Sequence, residues 1–230
     1  RLRKLPLLMI LFIFIAIISY IAQLNVNRKF KKFSELPLAN GMTGRDVAER
    51  MLQAHGIHDV KITCIEGRLT DHYNPTDNTV NLSREVYSSC SVAAAAVAAH
   101  ECGHAVQHAT AYGPVKMRSA LVPAVSFASN CVSWVLLAGI MVIERFPMLM
   151  LFGIALFAIT TLFSFVTLPV EINASKRALA WLDRSGIVSS YMYRDAESAL
   201  RAAAYTYVVA ALASLATLIR YILIYMGRRD

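Results

Sequence analysis

The sequence predicts a mainly α-helical membrane protein, with four transmembrane helices and one small α+β head. Three observations carry that expectation. The 230 residues are 57% hydrophobic and only 17% charged, too apolar for an ordinary soluble domain. The apolar residues concentrate in four stretches, 5–24, 121–143, 147–170 and 202–226, with Arg220 the one charge among them. Each reaches the ~20 residues that cross a hydrocarbon core. Between the first two stretches lies a polar segment that mixes helical and alternating patterns.

The first stretch follows a basic start, Arg1, Arg3 and Lys4, as a signal peptide would. It has no small-residue cleavage pattern and runs into Asn25-Val-Asn-Arg-Lys-Phe-Lys-Lys32, so residues 1–24 are read as a retained anchor. Residues 25–119 form the head. Thr43-Gly-Arg-Asp46 marks a helix start with an acid placed for a capping box. Val47, Met51 and Leu52 give that helix an apolar stripe, and Gly56 ends it. Val60, Ile62 and Cys64 alternate as a strand, Asn74–Asn78 reads as a turn, and Thr79–Leu82 as a second short strand.

An alanine-rich run, Ser91–Ala99, then enters His100-Glu101-Cys102-Gly103-His104. Alanine is the best helix former, and nine apolar residues are too few to span a bilayer. This is a buried core helix, expected to end at Gly113-Pro114. Residues four apart on a helix share a face, so His100 and His104 can hold one zinc ion. Glu101 beside them can act as general base on a water that the metal polarises. The same motif makes the head zincin-like.

Residues 120–170 form a hydrophobic hairpin with its link at Glu144–Pro147. Ser126, Ser129, Asn130 and Ser133 fall on one face of its first arm, and Thr160, Ser164 and Thr167 on one face of its second. Polar stripes in lipid usually pack against other helices. A second polar segment, 171–201, precedes the last span and tail, 202–230.

A catalytic zinc site takes three protein ligands and a water. His108 lies eight residues past His100, turned by about 80° and risen by about 12 Å on a straight helix, which is too far. Glu171 is the better third ligand. Two spans separate it from His104, so a chain that crosses twice returns it to the side of the head. The four cysteines, Cys64, Cys90, Cys102 and Cys131, form no C-x-x-C pair and read as reduced thiols. The net charge of +8 collects beside the spans, where lipid headgroups account for it, and no basic patch with interleaved aromatics speaks for nucleic acid.

HECGHAVQHA, LTDHYNP (residues 69–75), NTVNLS (78–83) and LPVEINASKRAL (168–179) together resemble the YugP-type neutral zinc metallopeptidases. The resemblance runs from about Gly41 to the last span, and the chain is more distantly similar to the HtpX-type membrane proteases. It implies His100, His104 and Glu171 as zinc ligands in the gluzincin manner, with Glu101 the catalytic base. The HtpX-type third-ligand motif carries an aspartate where this chain has Ser175. A carboxylate there would orient a ligand histidine, so here that support must be weaker or come from elsewhere.

The expected activity is zinc-dependent cleavage of peptide bonds at the membrane, with one zinc ion per chain and protein or peptide substrates. The lipid bilayer is the expected partner. His72, Tyr73 and His108 are the candidate donors to the oxyanion. Residues 78–83 are a possible edge strand for a substrate to pair with. A non-proteolytic membrane scaffold and an intramembrane-cleaving protease are the competing readings. Sixteen of the 23 Lys and Arg lie in segments 25–119 and 171–201, which by the positive-inside rule places the head in the cytoplasm of a multi-pass cell-membrane protein.

Overall fold

The computed structural model describes residues 4–227, with the side chains of 4–9 and 11 left aside. The order of elements is α1 (Lys4–Ser34), α2 (Gly44–Ala54), β1 (Lys61–Ile65), β2 (His72–Asn74), β3 (Thr79–Ser83), α3 (Arg84–Ser88), α4 (Val92–Ala109), α5 (Gly113–Met141), α6 (Pro147–Ser185) and α7 (Ser190–Met226). The chain divides into two compact units.

One unit comprises Ala22–Val115 and Val170–Thr206. Its centre is α4, in which every residue from Val92 to Ala99 is buried. Small side chains let neighbours come close on all sides. α2 packs along it through Val47, Ala48, Met51 and Leu52, held at its start by the capping box between Thr43 and Asp46. The sheet order is β1-β3-β2, with β1 parallel and β2 antiparallel to β3. β3 is therefore the central strand and not an edge, which corrects the sequence expectation. Thr79, Val80, Leu82 and Ser83 are buried, so the strand lacks the half-exposed alternation of an edge. The edge beside α4 is β2, too short to show a period in sequence.

The stretch after α1 is fastened to the entry of α4. Leu38 N–H donates to Cys90 O (2.7 Å) and Val92 N–H to Leu36 O (3.0 Å). α4 stops at Ala109, before the expected Gly113-Pro114. Ala111 takes a left-handed φ of +50°, and Gly113-Pro114 instead opens α5.

The other unit draws on α1 up to Ile21, on Lys116–Pro169 and on α7 from Tyr207. Among the described residues α5, α6 and α7 are long and apolar enough to cross a membrane. The first span expected over residues 5–24 falls partly outside the described side chains, as do Arg1 and Arg3. Ala128, Val132, Leu136 and Gly139 form the buried face of α5 against Met150 and Ile154 of α6. The Ser126, Ser129, Asn130 and Ser133 stripe lies on the exposed face instead. In α6 the hydroxyls of Thr160, Ser164 and Thr167 donate to carbonyls of their own helix, and Thr161 bonds Ser214 of α7 at 2.8 Å.

Candidate metal centre

α4 brings His100 and His104 one turn apart, their rings edge to face with centroids 4.8 Å apart. Ser91 caps the helix by accepting from Ala94 N–H at 3.2 Å, so its first turn is fixed before the histidines follow. The third group comes from α6. Glu171 Oε2 lies 3.3 Å from His100 Nε2 and 3.6 Å from His104 Nε2. The three side chains are largely buried, with Glu171 the deepest at 5% exposure. Cys102 points the other way, its thiol 3.6 Å from Ala48 O of α2, and burial pushes its pKa far up.

Gly103 makes the convergence possible. A Cβ there would sit 2.6 Å from Ala174 O, so only a glycine lets the α6 backbone rest on α4 at this level. Glu171 is one turn upstream of Ala174 on the same helix and thereby reaches both imidazoles.

The spacing suits a tetrahedral metal. Bonds of 2.0–2.2 Å separate neighbouring ligand atoms by about 3.3–3.6 Å, and the carboxylate-to-imidazole distances of 3.3 and 3.6 Å fall in that window. The three offered atoms all lie within 4.8 Å of one another, and His108 is not among them. Two imidazoles and one carboxylate are a donor set that zinc accepts.

Each ring also has a partner behind it. Ser175 Oγ is 3.1 Å from His100 Nδ1, so the serine occupies the place where an aspartate was wanted. His104 Nδ1 is 3.1 Å from Gln107 Oε1. Gln107 carries no chemical signature of its own in the sequence, although its position three residues past His104 puts it beside that ring.

Charge couples the cluster. Burial pulls the His104 imidazole down, but the hydrogen bond and charge of Glu171, with the charge of Glu101, more than offset this, so its pKa is raised. Glu171 lies just past the apolar run of α6. Burial pushes its carboxyl up, and the two imidazoles draw it well below the usual range.

Glu101 is 8% exposed, and its Oε2 accepts the Tyr73 N–H of β2 at 3.0 Å. The edge strand thus lies directly beside this carboxylate. His72 is committed within the sheet, with Nδ1 2.7 Å from Thr70 O and Nε2 3.3 Å from Asn81 Nδ2. The Tyr73 ring lies 6.1 Å from the exposed His108 ring, and its hydroxyl donates to Asn78 Oδ1 at 3.3 Å. Burial raises the Tyr73 phenol, with a further contribution from Asp59 and Asp77.

A family described as "Putative neutral zinc metallopeptidase" matches residues 8–226. The chain is 40% identical over 224 residues to the "Putative membrane protease YugP" of Bacillus subtilis (strain 168), covering 96% of this chain and 99% of that one. No solved structure matches it.

Proposed function

The chain belongs to the neutral zinc metallopeptidase family, and from that premise we propose that it is a membrane-embedded zinc metalloendopeptidase. The observation that supports it most is the convergence of His100, His104 and Glu171 with Glu101 at their side. The first three are the metal ligands and Glu101 is the base.

A zinc ion held there supplies a Lewis acid for the peptide carbonyl and brings the acidity of a water molecule toward neutrality. Glu101 takes the proton from the attacking water and returns it to the leaving amine. The Tyr73 N–H holds one oxygen of that carboxylate. An extended substrate adds to the outer edge of β2, where the Tyr73 N–H is already given to Glu101 and the Tyr73 carbonyl is left for main-chain pairing. Of the three candidate oxyanion donors, His108 is preferred, because both His72 nitrogens and the Tyr73 hydroxyl already have hydrogen-bond partners.

The head faces the cytoplasm in this reading. The Lys and Arg distribution supports it, and so do four cysteines that are all free thiols.

The test uses the full chain in detergent with Glu101→Gln. The amide accepts no proton, so the variant should keep one zinc per chain and lose cleavage of a fluorogenic peptide library. Cleavage at the parental rate would remove Glu101 from the chemistry. A parent that binds zinc and never cleaves would favour the scaffold reading.

A further inference from the structure

We propose that Gln107 is a positioning residue for the metal centre, fixing the tautomer of His104 and its spacing from Glu171. The proposal rests on the reading of those two residues as ligands. Gln107 is fully buried. Its Nε2 donates to Val170 O at 2.7 Å and to Asn173 Oδ1 at 3.0 Å. A backbone carbonyl can only accept, so this end of the amide must be the nitrogen. Oε1 therefore faces His104 Nδ1 at 3.1 Å and can only accept in turn. The proton of His104 is held on Nδ1, and its Nε2 lone pair is left facing Glu171.

Asn173 is oriented by a permanent cation. Arg177 Nε donates to the same Oδ1 at 2.8 Å, and its guanidinium lies over the Tyr112 ring at 5.8 Å. A chain of fixed polarity thus runs from Arg177 through Asn173 and Gln107 to His104. Val170 immediately precedes Glu171, so one buried amide grips both the imidazole and the backbone that carries the carboxylate. His100 is held differently. The Ser175 hydroxyl can donate or accept and selects no tautomer on its own. The order of the centre is set on the His104 side.

The test compares the parent with Gln107→Met, which keeps length and burial but removes both polar atoms, and with Asn173→Ala. Full-length protein in detergent is titrated with zinc against a chromophoric chelator. The visible absorption of the cobalt-substituted form and the unfolding midpoint of the metal-free form are recorded alongside. Gln107→Met should bind zinc about 10–100-fold more weakly and change the cobalt spectrum. Asn173→Ala should show a smaller loss of the same kind. Parental affinity and spectrum in Gln107→Met overturn the proposal, even when the metal-free midpoint falls, because that outcome is merely structural. If Gln107→Met does not fold, parental affinity in Asn173→Ala overturns it. A parent that binds no zinc overturns the ligand reading and this inference together. Loss of zinc in His104→Ala with full binding in Gln107→Met removes only the inference.

Discussion

Gly103 and Ala174 touch backbone to backbone, the point at which the HECGH helix and the Glu171 helix meet with no side chain between them. Gly103→Ala should therefore push the two helices apart. Overpacking of this sort costs about 1–3 kcal/mol of stability, and zinc binding should weaken by about tenfold or more. Chelator competition and thermal unfolding of the detergent-solubilised protein check both. Unchanged affinity would show that Glu171 does not depend on this contact.

The proposed ligand set makes a sharp distinction among histidines. His100→Ala and Glu171→Ala should abolish stoichiometric zinc by elemental analysis, and His108→Ala should retain it. If Glu171→Ala keeps its zinc while His108→Ala loses it, the third ligand has been misassigned.

Acidity should affect the metal-free and zinc-bound proteins in different ways. In the metal-free protein the His104 pKa is raised above its unfolded value, so its contribution is complete below about pH 6.5 and is lost as pH rises through the folded value. Glu171 is depressed, and its contribution is complete above about pH 4.3 and lost as pH falls through the folded value. Zinc needs the unprotonated imidazole. The rise in unfolding temperature on adding zinc should be larger at pH 8 than at pH 6. The reverse trend would count against His104 as a ligand.

Tyr73→Pro removes the N–H together with the phenol, on an edge strand that tolerates proline at an outward position, and Tyr73→Phe, which keeps the N–H and loses only the hydroxyl, is its control. With the bond to Glu101 lost, kcat should fall by about tenfold or more while zinc content stays at one per chain. A parental kcat would mean that the Glu101 carboxylate needs no help from β2.

Orientation can be read by labelling intact cells with a membrane-impermeant thiol reagent. Ser34→Cys should be protected and Phe146→Cys labelled. The opposite pattern would place the head outside and leave the zinc chemistry untouched.

What was legible in the sequence was local. His100 and His104 are four residues apart in one strong helix, and that spacing alone makes a shared face. Thr43 and Asp46 announced a capping box for the same reason. Glu171 could be chosen because two intervening spans return the chain to one side. Gly103 and Gln107 were illegible as functional residues, since each acts by contact with a helix far along the chain. Ser175 stood out for lacking a carboxylate, and only the fold shows its hydroxyl against His100. β2 is three residues long and carries no readable period, so the sequence offers the neighbouring β3 as the edge.

The placement of the proposed ligands along the chain has a consequence in time. His100 and His104 leave the ribosome well before Glu171, which follows the whole α5–α6 hairpin. A centre that requires all three cannot cut anything while the nascent chain still lacks its third apolar stretch. On the proposed ligand assignment, synthesis itself would act as a delay, and proteolytic competence would arrive only once the hairpin has been made.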